Sequence, residues 1–189
     1  MIKTDRWIIG KAVRFGMIEP FVSHQVRQEN GRKVISYGVS SYGYDCRCGR
    51  EFKIFDNLFD GMMVIDPLAF DDRACITKVG DVCIVPPNSL VLCHSIEYFR
   101  IPSNVHAYVL GKSTYARSGL HALTTPLEAG WEGQITIEMA NVTPFPVKLY
   151  ANQGVAQVCF HQADETCLMS YRDRSGKYQG QRGVTFSKG

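Results

Sequence analysis

Short apolar runs of two to four residues recur along the chain and are separated by turn-forming residues. Runs spaced in this way by Gly, Pro, Asn and Asp are typical of the strands of a sandwich or barrel. The regular alternation of strands with longer helical patterns, which indicates a parallel α/β sheet, is missing. The pattern therefore predicts an all-β fold, with strands expected around Val34-Ile35, Val82-Cys83-Ile84-Val85, Leu90-Val91-Leu92, Ala107-Tyr108-Val109-Leu110 and Gln157-Val158-Cys159-Phe160.

The amino-terminal residues carry the clearest helical pattern of the chain. Thr4 or Asp5 can cap a short helix there, because both side chains accept hydrogen bonds from free backbone N–H groups. Helical signals fade after this segment, so the sequence predicts a few short helices at most. The apolar positions that fall at helical spacing are Trp7, Ile8, Ala12 and Phe15.

One segment alternates cleanly between apolar and polar residues. Ile135, Ile137 and Met139 share one face of the predicted strand, and Thr136 and Glu138 share the other. Because the apolar face is expected to pack in the core, the polar face has two interpretations. It is either a solvated outer surface, or a pocket wall on which Glu138 handles a proton.

A nine-residue segment from Gly111 to Gly119 combines cations, hydroxyls and flanking glycines. Lys112 and Arg117 can neutralise negative charge, and the Ser113 hydroxyl can donate hydrogen bonds. These residue types suit a polyphosphate ligand, although the glycine spacing of a Walker-type loop is missing. A basic surface loop is the alternative interpretation.

Composition narrows the class of protein. The 189 residues, of which 45% are apolar and 21% charged, suit one globular domain. A formal net charge of +3, without a run of basic residues, argues against a nucleic-acid partner. No stretch of about 18 apolar residues predicts a membrane span. The first six residues lack a secretory apolar region and the cysteine count of seven is odd, so we expect reduced thiols in the cytoplasm.

The cysteines and histidines do not form the ligand pattern of a zinc deaminase. Cys46 and Cys48 are one residue apart, and no histidine motif accompanies them. We expect both cysteines to be small buried residues on one face of a strand. No zinc or other protein-bound metal is therefore expected, and any activation of water would have to come from a carboxylate and fixed dipoles.

The last 19 residues differ in character from the rest of the chain. The segment 171–189 is polar and rich in cations and glycine. Such a tail is either a disordered terminus, which composition alone favours, or a mobile lid.

Beyond these patterns, several motifs together resemble the dCTP deaminases of bacteria, a branch of the trimeric dUTPase superfamily that removes the cytosine amine without a metal. The resemblance covers nearly the whole chain. Its motifs are Gly111-Lys112-Ser113-Thr114-Tyr115-Ala116-Arg117, Thr125-Pro126-Leu127-Glu128, Trp131-Glu132-Gly133 and Thr136-Ile137-Glu138, with further matching segments at 35–45, 81–89, 150–157 and 176–183.

The resemblance implies a fold, an assembly and a reaction. The fold would be a dUTPase-like β-barrel or β-clip of the distorted jelly-roll type, with residues 1–189 in a single domain. The segment 171–189 would close over the phosphates. The family is homotrimeric with active sites shared between subunits. It converts dCTP to dUTP and ammonia with Mg²⁺ bound through the triphosphate, and dTTP is the expected feedback inhibitor.

The resemblance also implies residue roles. Glu138 would be the general base and acid that activates water, Ser113 would help to orient that water, and Arg117 would approach the catalytic site. The nucleotide would be bound by these three and by Lys112, Thr114, Tyr115, Ala116, Thr136, Ile137, Gln157, Tyr171, Lys177 and Gln181.

Two alternatives to this function remain open, while a plain dUTPase fits poorly because its Tyr-x-Gly pattern is replaced by the segment 128–133. The first is a bifunctional enzyme that also releases pyrophosphate and yields dUMP. The second is a non-catalytic nucleotide sensor. We expect Tyr42-Gly43-Tyr44-Asp45 to act structurally, whereas Glu128 either contacts the nucleotide or pairs with a cation.

Overall fold

The computed structural model describes residues 1–55 and 64–189, and strands make up most of its regular structure. Two α-helices are described, α1 (Asp5–Phe15) and the one-turn α2 (Ser113–Ala116), with a short 3₁₀ helix at Asp72–Ala74. The predicted all-β fold with a few short helices is confirmed. The strands are β1 (Ile18–Glu19), β2 (Val26–Glu29), β3 (Arg32–Ser40), β4 (Gly43–Arg47), β5 (Glu51–Phe55), β6 (Cys75–Val79), β7 (Val82–Val85), β8 (Leu90–Arg100), β9 (Val105–Gly111), β10 (Leu120–Leu123), β11 (Glu132–Asn141), β12 (Val147–Tyr150) and β13 (Gly154–Gln162).

Antiparallel pairing joins these strands into two larger sheets and a two-stranded ribbon. The first sheet has the order β10-β11-β8-β5-β6, and β1 also pairs with β8. The second sheet has the order β2-β3-β4-β13-β9, and the ribbon consists of β12 and β7. Many short antiparallel strands in separate layers are what the turn-separated apolar runs predict.

Helix α1 forms where the sequence predicts it and buries one narrow stripe. Ile8 and Ala12 are buried, whereas Phe15 remains 68% exposed. The helix ends at Gly16, whose φ of 62° is the left-handed conformation that glycine adopts without a steric penalty. Within the described chain, no helix is long and apolar enough to cross a bilayer.

Strand β11 lies inside the first sheet and carries the predicted alternation. Ile135, Ile137 and Met139 are buried, while Thr136 and Glu138 are only partly buried on the opposite face. Hydrogen-bonded neighbours on both sides, β10 and β8, hold the strand in place. The register with β8 shifts once, between Gln134 and Thr136.

A continuous hydrophobic cluster fills the space between the sheets and α1. It draws on strands of both larger sheets, and its largest fully buried side chains include Tyr44, Phe52, Phe99 and Phe160. All seven cysteines are free thiols. Cys46 and Cys48 are fully buried, as the sequence predicts, and burial raises the pKa of the Cys46 thiol.

The carboxy-terminal tail packs along the polar face of β11. The Gly183 amide donates to Gln134 Oε1 at 2.7 Å, and the Thr185 amide donates to Thr136 Oγ1 at 3.1 Å. Farther along, Phe186 stacks on Phe70 with ring centroids 4.7 Å apart. The structure therefore corrects the disordered terminus that composition alone favours, because strand and aromatic contacts hold the tail.

Candidate active site

A cavity of about 730 Å³ lies between the polar face of β11, β8 and the tail. Its apolar wall is formed by Phe55, Phe70, Leu90, Leu92, Trp131 and Ile135. Its polar lining includes Thr136, Glu138, Tyr171, Lys177 and Gln181. An apolar cavity with a few convergent polar groups is the usual form of a small-molecule site.

Glu138 is a carboxylate in a largely apolar setting. Its partners across the ladder are Leu92 on β8 and Leu123 on β10. No ion pair among the described residues includes this side chain, and burial raises the pKa of its carboxyl. A carboxyl with a raised pKa accepts and returns protons more readily near neutral pH than an ordinary one. The pocket-wall interpretation of this strand face is therefore the one that the geometry supports.

Trp131 and Tyr171 connect the cavity to the tail. The Trp131 indole N–H donates to the Tyr178 carbonyl at 3.0 Å, and the Tyr171 hydroxyl accepts from the Tyr178 amide at the same distance. Gln181 Nε2 donates to the Gln134 carbonyl at 2.7 Å. The tail residues that the family resemblance assigns to the nucleotide are thus already anchored beside the Glu138 cavity.

The predicted phosphate segment lies elsewhere in the chain. The side chains of Ser113, Thr114, Ala116 and Arg117 are exposed on and beside α2, and none of the residues 112–117 lines the Glu138 cavity. Tyr115 points inward, where its hydroxyl accepts from the Tyr150 amide at 3.0 Å. Within one chain, the two segments do not share one pocket.

Lys112 and Gln157 belong to a buried polar cluster around Asp45. The Lys112 ammonium donates to Asp45 Oδ2 at 2.6 Å, and Gln157 Nε2 donates to Asp45 Oδ1 at 3.1 Å. Ile137 lies on the buried face of β11, so its side chain packs in the core and not beside Glu138. The cavity brings together five predicted residues, Thr136, Glu138, Tyr171, Lys177 and Gln181, and leaves the others apart.

Glu128 pairs with a cation, which was one of its two interpretations. It accepts a hydrogen bond from Arg174, while Glu132 accepts one from Arg172 at 3.0 Å. Glu128 also lines the cavity, and its contact with the nucleotide stays a prediction.

A second buried carboxylate, Glu97, was missed by the sequence reasoning. It is fully buried and accepts from Arg47 Nε and from the Arg47 amide, each at 2.8 Å. Burial is the largest influence on its pKa and raises it. The alternation along β8 could have indicated this burial, because Glu97 occupies an inward position of the strand between Ser95 and Phe99.

The described residues contain no group of three or more His, Cys, Asp or Glu arranged to hold a metal ion.

The fold is that of the dUTPase-like class. The chain aligns with a crystal structure of 2′-deoxycytidine 5′-triphosphate deaminase from Agrobacterium tumefaciens with a TM-score of 0.63 and 14% identity. The alignment covers 86% of this chain but 48% of that one, so this chain spans about half the length of that protein. At this identity the likeness concerns the fold alone.

Sequence relatives define the family more narrowly. The family model described as dCTP deaminase-like matches residues 2–163. A protein named dCTP deaminase from Methylococcus capsulatus is 58% identical over 187 residues, and one from Acidovorax sp. (strain JS42) is 56% identical. Both matches cover 99% of this chain and 98% of the relative. The chain belongs to the dCTP deaminase-like family.

Proposed function

We propose that this chain is a dCTP deaminase that hydrolyses dCTP to dUTP and ammonia. The observation that carries the proposal is the half-buried carboxylate of Glu138, which forms no ion pair with any described residue, in an apolar cavity large enough for a nucleoside. Relatives at 56–58% identity over almost the full length, which bear this name, support the choice of substrate.

The reaction needs one group that moves protons between water and the ring. In this proposal the Glu138 carboxylate takes a proton from water while the oxygen forms a bond to C4 of cytosine. Glu138 then delivers that proton to N3, which gives a tetrahedral intermediate. It next carries the remaining hydroxyl proton to the amino group, so the C4–N bond breaks, C4=O forms and ammonia leaves. A raised pKa suits both halves of this cycle.

Arg117 and Ser113 complete the proposed site from a neighbouring subunit. Their separation from the Glu138 cavity within one chain supports an assembly in which each site is shared, as in the homotrimer that the family resemblance implies. Exposed apolar side chains near this segment also support a subunit interface, namely Tyr108, Leu110 and Leu123. In the assembled site, Ser113 orients the water, and the turn that carries the exposed residues Thr114 and Arg117 faces the phosphates.

The remaining parts of the proposal concern ligands and location. The nucleotide carries Mg²⁺ on its triphosphate, which neutralises part of the phosphate charge. Tyr171, Lys177 and Gln181 approach the phosphates from the tail, and dTTP inhibits by occupying the same site. Seven free thiols support a cytoplasmic location.

Ammonia release from dCTP, CTP and dCMP, measured side by side, tests the function. We expect activity on dCTP and a loss of about 10²–10⁴-fold in Glu138→Gln, because the amide cannot accept the proton. Glu132→Gln is the matched control, since Glu132 lies on the same strand but pairs with Arg172. A Glu138→Gln protein that still deaminates at the wild-type rate would rule out the proposed mechanism.

Chromatography of the products separates the alternatives. Accumulation of dUTP indicates a deaminase only, whereas dUMP and pyrophosphate indicate the bifunctional enzyme. Nucleotide binding without any ammonia release would indicate the non-catalytic sensor.

A further inference from the structure

Strands β8 and β11 do not pair evenly along their whole length. The pairing of Gln134 with Tyr98 is followed by the pairing of Thr136 with His94. Between these two pairs β11 has one residue, whereas β8 has three, residues 95–97. These three residues form a bulge, which we call the β8 bulge. A bulge bends its strand and re-aims the side chains beside it, and bulges are frequent next to active sites.

The Ser95 hydroxyl holds the β8 bulge against β11. Ser95 is fully buried, and its Oγ accepts from the Ile135 amide at 2.8 Å. The same hydroxyl donates to the Glu97 carbonyl at 2.7 Å, so it spans the bulge from its first residue to its last. A side-chain oxygen thus accepts the hydrogen bond that a backbone carbonyl accepts in a regular ladder. Because the Ile135 amide is buried, the loss of this acceptor would leave a costly unpaired donor.

A second set of contacts ties the β8 bulge to the rest of the core. The Glu97 carboxylate is fully buried, and both the amide and the guanidinium of Arg47 donate to it. The Tyr44 hydroxyl donates to Glu97 Oε1 at 3.3 Å. At the other end of the bulge, Ser95 forms a backbone bridge with Cys48. The bulge is therefore held at both ends, and moving it would break several buried hydrogen bonds.

The β8 bulge also contacts the residue of β11 that receives the tail. Gln134 Nε2 donates to the Ile96 carbonyl at 3.1 Å, while Gln134 Oε1 accepts from the Gly183 amide at 2.7 Å. The backbone amide of Gln134 donates to the Gln181 carbonyl at 3.0 Å. Farther along β11, beyond the bulge, Glu138 lines the cavity. The bulge therefore lies between the point where β11 binds the tail and the point where it carries the carboxylate.

We propose that Ser95 is a positioning residue for the proposed deamination. Its hydroxyl fixes the path of β11 at Ile135, three residues before Glu138, and so sets the carboxylate relative to the tail and to a pyrimidine ring in the cavity. Ser95 acts through Glu138 and does not touch the substrate. Such placement matters, because a displacement of about 1 Å can cost about 10²-fold in rate. The inference rests on the proposed function, since dCTP supplies the ring that Glu138 must reach.

Deamination kinetics of Ser95→Ala and Glu138→Gln, alone and combined, test the inference in the full chain. Rates are expressed per folded enzyme, with thermal unfolding recorded for each variant, and calorimetric binding of dCTP with Mg²⁺ separates affinity from turnover. Tyr44→Phe is the matched control. It removes another fully buried hydroxyl, which accepts from the Val22 amide at 3.3 Å and contacts Glu97, but which does not bond to β11.

We expect Ser95→Ala to lower kcat about 10–100-fold and to change the Kd for dCTP less than about threefold, because the nucleotide still binds but meets a displaced carboxylate. In the Glu138→Gln background, adding Ser95→Ala is expected to cause no further loss, since Ser95 acts through that side chain. Tyr44→Phe is expected to lower the unfolding midpoint while kcat stays close to the wild-type value.

A second measurement follows the carboxyl without relying on activity. Carbon-13 NMR of labelled glutamate carboxyls, assigned with Glu138→Gln, reports the pKa of Glu138, which burial raises. In Ser95→Ala we expect this pKa to fall towards the ordinary Glu range, because a loosened strand exposes the carboxyl to water, and in Tyr44→Phe we expect no change. An unchanged titration in Ser95→Ala would contradict the placement. A wild-type protein that releases no ammonia from dCTP would refute the proposed function, while this titration would still test the role of Ser95.

Two kinetic results would overturn the inference. One is a kcat for Ser95→Ala, per folded enzyme, that equals that of Tyr44→Phe, which would reduce Ser95 to a general contribution to stability. The other is an equal loss when Ser95→Ala is added to the wild type and to Glu138→Gln, which would mean that Ser95 acts independently of the carboxylate. If Ser95→Ala does not fold, Ser95→Cys decides by the same criteria, because a thiol keeps the shape of the side chain but is a weak acceptor.

Discussion

Phe186 provides the most direct test of how the tail is held. Its ring stacks on Phe70 at 4.7 Å with 18° between the planes, and Phe70 meets Phe55 edge-on at 6.0 Å. The Lys53 ammonium lies 5.8 Å from the Phe186 ring centroid. All three rings line the cavity that contains Glu138. Replacing Phe186 by Ala removes this aromatic anchor and leaves the tail hydrogen bonds to β11 in place.

The expected loss follows from the two contributions of the ring. A stacked aromatic pair contributes about 0.5–1.5 kcal/mol beyond the area it buries. Partial burial of a Phe side chain adds about 1 kcal/mol, since complete burial is worth about 1.5–3 kcal/mol. The sum of about 2 kcal/mol lowers the ratio of docked to undocked tail by about 30-fold, because 1.4 kcal/mol is a factor of ten.

Amide hydrogen exchange measures this ratio directly. The amides of Gly183 and Thr185, which donate to side chains of β11, should lose about 30-fold of their protection in Phe186→Ala. Phe145→Ala is the control, because Phe145 is 70% exposed and its replacement removes no aromatic contact with the tail. Unchanged exchange at both amides would refute the anchoring role. Faster exchange throughout β8 and β11 would mean instead that the substitution destabilises the whole fold.

Three further predictions concern protonation and packing. Because burial raises the pKa of Glu138, and a general base must be deprotonated, the acid limb of kcat/KM should lie above pH 4.3, the ordinary Glu value. A limb at or below that pH contradicts the assignment. Because the pKa of Glu138 is higher in the folded than in the unfolded state, ionisation of this carboxyl at high pH destabilises the folded protein. Glu138→Gln should therefore raise the unfolding midpoint at pH 8 and not at pH 4. Tyr115→Phe leaves the Tyr150 amide without its acceptor and should lower the free energy of unfolding by about 1–3 kcal/mol in urea titrations, whereas an unchanged value would mean that the amide finds another partner.

The sequence predicts best those features that repeat at short range. Alternation along β11 reports directly which side chains are buried, so the face that carries Thr136 and Glu138 could be predicted. The same holds for Ile8 and Ala12 of α1, whose spacing is that of one helical face.

Long-range contacts could not be predicted from local patterns. Lys112 and Asp45 are 67 positions apart, and nothing near Lys112 indicates that its ammonium points into the sheet. Tyr115 likewise looks like a member of a polar loop, although its ring fills the core and its hydroxyl caps the Tyr150 amide. The docking of Phe186 on Phe70 also depends on the path of the whole tail, which composition does not encode.

The regular alternation of buried and partly buried side chains along β11 limits the insertions and deletions that the strand tolerates. Side chains along a strand alternate with a period of two, so the identity of the reactive face is a question of parity. Deleting one residue between Gln134 and Glu138 would turn that carboxylate towards the hydrophobic interior and present a neighbouring apolar side chain to the nucleotide. A change in the length of this strand is therefore expected to be tolerated only in steps of two residues, because any odd change exchanges its two faces.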